Sequence, residues 1–179
     1  MAVYFNLTID CGISADTAGK VTSAFEELSI PISDAPVLRC LVHQYQRNGQ
    51  EIVYVWPMGW GYNTCQPFRP ELLDLETMAV IKKALLDLLR TLSGYRMALY
   101  GSETQDTMEF GEVIADEGLN LPGCIFAASL LSGSSALRER PVFSPGYRWI
   151  PDTEEEWRSF FKVRHGWTLG DDFTPPPPH

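Results

Sequence analysis

The segment 51–66 reads EIVYVWPMGWGYNTCQ, and the fold predicted for the rest of the chain depends on it. Residues 51–56 have the β-branched and aromatic composition of a strand. They lead into a loop that holds two glycines and two large aromatic residues, Trp60 and Tyr62. Rings on a glycine-rich loop either fold back over the core as a lid or are presented to a partner. The segment therefore predicts a sheet with a candidate contact surface at one end.

The N-terminal residues predict a strand followed by a helix. Val3–Asp10 alternates apolar and polar residues, as a half-buried strand does. Either Ser14 or Asp16 can cap the helix that follows. Its apolar positions have helical spacing and predict one buried face: Ala18, Val21, Phe25 and Leu28.

A hairpin is predicted directly before the opening segment. Residues 37–46 form a second strand pattern, and the dipeptide Asn48-Gly49 separates it from the third strand at 51–56. Asn-Gly between two strand patterns is a strong hairpin signal, because both residues tolerate positive φ.

A long amphipathic helix and a fourth strand complete the first half of the chain. Residues 69–93 carry an apolar stripe at helical spacing, Gly94 can take a left-handed C-cap, and Tyr95–Gly101 reads as a strand. The order over residues 2–101 is β-α-β-β-α-β. This order predicts an α+β fold with a four-stranded antiparallel sheet of ferredoxin-like topology and both helices on one face.

The second face of such a sheet would be open to another layer or to a partner. We expect aromatic and polar side chains to share it, in a mixture too aromatic for a solvated face and too polar for a simple core. The expected set is Arg39, His43, Tyr45, Tyr54, Trp56, Arg96 and Tyr100.

The C-terminal half is predicted to be an α/β extension of the same domain. Residues 102–170 would pack on the first half, which gives one domain over 1–170, while the proline-rich residues 171–179 form a disordered tail. Periodicity does not decide whether residues 124–131 are strand or helix. Whether the extension adds strands to the sheet also stays open.

Composition limits the classes of partner. The net charge of −9 opposes nonspecific nucleic-acid binding and docking on anionic membranes, and it favours a basic partner. No apolar run approaches the roughly 20 residues that span a bilayer, and the N-terminus lacks the pattern of a signal peptide. The four cysteines are widely and irregularly spaced, which is more typical of reduced thiols than of a disulfide framework. We therefore expect a cytoplasmic protein.

No catalytic or metal motif is written in the sequence. Cys40 and His43 are three residues apart on a predicted strand, so their side chains should point to opposite faces. Residues 59–61 are a lone GxG without the third glycine of a phosphate loop. A long-range metal site or a pocket served by His43 or His165 is the alternative. We expect no catalytic residue, no bound metal and no cofactor.

Acidic and aromatic residues supply the candidate contacts with a partner. Residues 103–117 contain six acids and no Lys or Arg, which is typical of a solvated face or of a docking surface for a basic protein. Tyr and Trp are enriched at interface hot spots, because they offer large contact area with little rotamer entropy to lose. The candidate partner-binding residues are Trp60, Tyr62, Asp106, Glu109, Glu112 and Asp116.

Several of these features together resemble bacterial polymorphic-toxin immunity proteins. They are the small size, the acidity, the ferredoxin-like first half, and the aromatic segment 143–151 with Glu154-Glu155-Glu156 after it. The resemblance implies a non-catalytic module that neutralises a basic toxin or effector by covering its active site. One alternative is a small-molecule binder or an enzyme (a hydrolase or transferase) with a pocket between the sheet and the C-terminal segment. Another is a homodimer formed through the aromatic loop.

Overall fold

The computed structural model describes residues 5–32, 37–58, 75–102, 122–131 and 138–151. Two helices are present in these ranges, α1 (Ala15–Glu27) and α2 (Leu75–Thr91). The strands are β1 (Phe5–Asp10), β2 (Ser29–Ile30), β3 (Leu38–Arg47), β4 (Gln50–Met58), β5 (Met97–Ser102), β6 (Cys124–Ala127), β7 (Val142–Ser144) and β8 (Tyr147–Trp149).

The strands form one antiparallel sheet of eight, in the order β2-β3-β4-β1-β5-β6-β8-β7. The predicted four-stranded sheet of ferredoxin-like topology is therefore wrong. The sheet is wider because β2 adds a short strand beside β3, and because β6, β7 and β8 continue it beyond β5. The C-terminal extension thus adds strands to the sheet.

Local signals explain the first helix and the hairpin. Ser14 is the N-cap of α1, and its side chain accepts a hydrogen bond from the Thr17 N–H at 3.2 Å. Asn48 and Gly49 have φ of 50° and 76°, as a two-residue hairpin turn requires. Both expectations are confirmed, although β3 and β4 run one or two residues beyond the predicted ends.

The second helix occupies part of its predicted range. It covers Leu75–Thr91, and residues 69–74 of the prediction lie outside the described residues. Gly94 has a φ of 89°, so it adopts the predicted left-handed conformation, three residues after the helix ends. None of the described helices is both long and apolar enough to cross a membrane.

A glycine directly precedes β6, the first of the C-terminal strands that widen the sheet. Residues 124–131 contain both β6 and a 3-10 turn (Ala128–Leu131), so the undecided segment is strand first and helical turn second. Gly123 precedes β6 with a φ of 83°, and a Cβ there would lie 2.4 Å from the Tyr100 carbonyl oxygen. Only glycine combines that φ with so close an approach to β5.

One face of the sheet packs against both helices, and we call it the helix face. Leu7 and Ile9 of β1, with Val53 and Val55 of β4, alternate onto this face. Tyr100 also lies here, because it pairs with Leu7, so its predicted place on the second face is wrong. The helices contribute buried residues to the same core: Ala18, Val21, Phe25, Ile81, Leu85, Leu86 and Leu89.

Candidate binding face of the sheet

The side chains that alternate with the helix face form the second face of the sheet. Register places five members of the expected set on it: Arg39, His43, Tyr45, Tyr54 and Trp56. His43 lies opposite Tyr54, and Tyr54 lies opposite Thr8. The second face therefore runs from the exposed strand β3, across the aromatic residues of β4, to the polar side chains of β1.

A buried polar row occupies β1 on this face. Asn6, Thr8 and Asp10 are all at most 2% exposed, nearly as buried as Leu7 and Ile9 between them. The Asn6 Nδ2 donates a hydrogen bond to the Tyr54 hydroxyl at 2.6 Å. Because buried polar groups cost free energy unless they are hydrogen-bonded, this row needs partners on neighbouring strands.

Asp10 closes the end of the row near the start of α1. Its Oδ1 accepts the Gly12 N–H at 2.7 Å, and its Oδ2 lies 3.7 Å from the Arg96 guanidinium. Arg96 also donates to the Gln50 Oε1 at 2.7 Å. Arg96 thus lies at this end of the sheet, where it joins the strands β4 and β5 to the carboxylate of β1.

The exposed part of the second face is a strip on β3, which we call the β3 strip. Leu41 is 46% exposed and His43 is exposed, with its ring stacked on Tyr45 at a centroid distance of 5.7 Å. Behind the strip, Tyr54 and Trp56 of β4 meet edge to face at 4.2 Å. The strip consists of Arg39, Leu41, His43, Tyr45 and Arg47.

The outer edge of β3 is largely uncovered in the described part of the chain. The strand β2 lies opposite only Leu38 and Arg39. In β4, the Glu51 N–H donates to the Gly12 carbonyl and the Glu51 carbonyl accepts from Cys11, so the main chain of Glu51 faces away from β3. Main-chain groups alternate in direction along a strand. It follows that the main-chain groups of Tyr54 face those of His43. The main-chain groups of Cys40, Val42, Gln44 and Gln46 therefore point away from β4, toward the outer edge.

The predicted partner-binding residues cannot be placed on this face. Trp60, Tyr62, Asp106, Glu109, Glu112 and Asp116 all lie outside the described residues. The structure therefore brings together a set that differs from them, the β1 polar row and the β3 strip.

Charge is distributed unevenly along the chain. Residues 103–117 contain six Asp and Glu and no Lys or Arg. Residues 152–172 contain six Asp and Glu and three Lys and Arg. These two segments thus carry twelve of the 23 acidic residues of the chain.

The thiols in the described ranges are poor nucleophiles. Burial raises the pKa of Cys40 and Cys124 to about 12, and burial with the nearby Asp10 and Glu51 carboxylates does the same for Cys11. Reactive cysteines need a lowered pKa, since the thiolate is the attacking form. Within these ranges, no three His, Cys, Asp or Glu side chains are grouped as a metal ion requires.

The Glu51 carboxylate, opposite Gln46 of β3, is held by amides. Gln46 and Gln44 donate to Glu51 at 2.6 and 2.9 Å, and these hydrogen bonds hold the pKa of Glu51 below its usual range. The two amides keep Glu51 ionised on the helix face, and both of its carboxylate oxygens accept hydrogen bonds from β3.

Comparison of the chain with protein families, with curated proteins and with solved structures gave no match. Sequence patterns predicted β3 and β4 but not the exposure of the outer edge of β3, because that exposure depends on β2 being only two residues long. Pro31, which directly follows β2, is the one local signal of this shortness.

Proposed function

We propose that the protein is a non-catalytic protein-binding module of the immunity type, which neutralises a basic toxin or effector by covering its active site. The observation that carries the proposal is the acidic run at 103–117, which contains six Asp and Glu and no Lys or Arg. Complementary charge between two surfaces speeds their encounter and fixes their register.

Covering the active site of a partner requires contact area and complementary charge, and it requires no catalytic group. Trp60 and Tyr62 would supply the apolar anchors of the contact. Four acids would attract the basic partner and orient it as it approaches: Asp106, Glu109, Glu112 and Asp116.

The test uses the product of the neighbouring reading frame as the partner and measures the Kd of the complex at two salt concentrations. The variant neutralises the four proposed acids (Asp106→Asn, Glu109→Gln, Glu112→Gln and Asp116→Asn). We expect the Kd to rise by about tenfold or more and its salt dependence to fall, since rim charges act mainly through association.

A matched control neutralises four exposed acids of the described framework: Asp16, Glu26, Glu27 and Glu139. It changes the net charge by the same amount, so it should leave the Kd within about twofold if position rather than total charge matters. Equal losses in both variants would reduce the proposal to nonspecific attraction.

A second variant tests the anchors. Trp60→Ala combined with Tyr62→Ala should weaken the complex by more than about 2 kcal/mol, as hot-spot residues do. If no partner is found, or if the double variant alters only the protein's own thermal stability, the immunity proposal fails.

A further inference from the structure

The outer edge of β3 is a long and regular strand edge. β3 has ten residues, and its register with β4 runs without a bulge from Arg39 to Arg47. Its outward main-chain groups belong to Cys40, Val42, Gln44 and Gln46, and no strand within the described ranges lies opposite them. A row of outward N–H and C=O groups is a template for another strand.

This edge has few of the devices that protect a sheet. Proteins blunt exposed edges with proline, charged side chains, bulges or very short strands, and over Cys40–Arg47 the strand has no proline, lysine or bulge, with Arg47 at its end. It also exposes an apolar side chain, since Leu41 is 46% exposed, and Val37, which directly precedes β3, is 56% exposed. Such an edge is suited to pairing with an added strand.

The charge of the β3 strip determines which side chains an added strand should carry. Residues 37–50 contain two arginines and a histidine but no Asp or Glu. Arg39, His43 and Arg47 share the second face, whereas the helix face beside the edge is bordered by α1, which ends in the acids Glu26 and Glu27. An added strand should therefore place acidic side chains on the second face and neutral ones on the helix face.

In the register centred on His43, the same charges disfavour pairing with a second copy of the chain. Antiparallel pairing of two β3 strands about His43 would put Arg39 of one copy opposite Arg47 of the other. Like charges directly opposite each other destabilise a strand pair.

We propose that the outer edge of β3 binds an extended acidic segment of another protein by strand addition. The segment hydrogen-bonds to the main chain of Cys40, Val42, Gln44 and Gln46. Its carboxylates face His43 and Arg47 and lie diagonal to Arg39, whose own opposite position is taken by Ser29 of β2. The residues of this site differ from those of the proposed function, so either proposal could fail without the other.

The probe is a capped eight-residue peptide that alternates glutamate and threonine, with a lysine–threonine peptide of the same length as control. Amide hydrogen exchange in the whole protein is measured with and without peptide. At a glutamate peptide concentration ten times its Kd, the outward amides of Cys40, Val42, Gln44 and Gln46 should exchange about tenfold more slowly. The amides of Leu41, His43 and Tyr45, already bonded to β4, should not change.

Two pairs of variants separate main-chain pairing from charge. Gln44→Pro removes an outward N–H and should abolish binding, whereas Gln44→Ala loses the same side-chain hydrogen bonds and should still bind. Arg39→Glu with Arg47→Glu should weaken the glutamate peptide by about tenfold and favour the lysine peptide. Lys20→Glu with Lys83→Glu makes the same charge change elsewhere on the exposed surface and should have little effect.

The alternating exchange pattern is measured on the unaltered protein, so it decides the matter even if a β3 variant fails to fold. The proposal is overturned if the peptide slows no β3 amide, or slows all of them alike. It is also overturned if the lysine peptide binds equally well. Outward amides that are already protected in the protein alone, together with a dimeric mass, would show that a second copy occupies the edge instead.

Discussion

The two faces of β1 are equally buried and chemically opposite. Leu7 and Ile9 meet the helices, whereas Asn6, Thr8 and Asp10 point to the second face. On the helix face, free energy comes from apolar area removed from water, which many side chains can supply. On the second face it depends on particular hydrogen bonds, because a buried polar group without a partner is costly. Equal burial therefore does not mean equal tolerance of substitution.

The largest effect is expected on the helix face. Phe25 of α1 is fully buried, so Phe25→Ala should lower the free energy of unfolding by about 3–5 kcal/mol, through lost burial and the cavity left behind. Urea denaturation measures it. Ile13→Ala is the control, because Ile13 is 85% exposed and should change stability by less than about 0.5 kcal/mol. A loss below about 1 kcal/mol at Phe25 would mean that the helix face is not the main core.

The next effect is expected at the end of the polar row. Asp10→Ala removes the acceptor of the buried Gly12 N–H and the carboxylate near Arg96, so it should cost about 2–3 kcal/mol. Asp10→Asn keeps an oxygen at the same position and should lose less. If the two variants are equally stable, the hydrogen bond to Gly12 does not support the fold.

The pH dependence of stability gives a third comparison of the two faces, through one buried cysteine on each. Cys11 lies on the helix face and Cys124 on the second face, and burial raises the pKa of each thiol from 9.0 to about 12. The unfolded chain loses these protons first, so stability is full below about pH 9 and falls as pH rises toward 12. Each buried thiol should contribute a slope of about 1.4 kcal/mol per pH unit in this window.

The alkaline slope is measured by urea denaturation from pH 9 to 11. Cys124→Ala and Cys11→Ala should each reduce it by one thiol's contribution, whatever their effect on stability at neutral pH. Rapid modification of Cys124 by a thiol reagent in the native protein, with an unchanged slope in Cys124→Ala, would show that water reaches the second face.

Much of the local structure was predictable from short-range signals. The Ser14 cap and the Asn48-Gly49 turn each depend on a few neighbouring residues, and both are present. The sheet as a whole was not predictable in this way. Its extension depends on pairings such as Gly123 with Ile150 and Tyr100 with Gly123, which bring together chain segments that share no local pattern.

The candidate face shows the same division between local and long-range information. The alternation of β3 and β4 placed His43, Tyr45, Tyr54 and Trp56 together, as expected. Tyr100 was assigned to the wrong face because the alternation of a strand does not fix its register, and a shift of one residue reverses every side chain. The outward edge of β3 depends on the shortness of a neighbouring strand and was missed.

The smallest effect is expected within the polar row itself. Tyr54→Phe removes the hydroxyl that accepts from the Asn6 Nδ2 at 2.6 Å, while the ring keeps its packing on Trp56. The loss should be about 1 kcal/mol, because a net hydrogen bond is lost and a buried amide donor is left behind. Combining Tyr54→Phe with Asn6→Leu should then cost less than the sum of the two single changes, since the second removes the stranded donor. A strictly additive double variant would show that the two side chains are not coupled, and that the polar row is no more specific than the apolar face behind it.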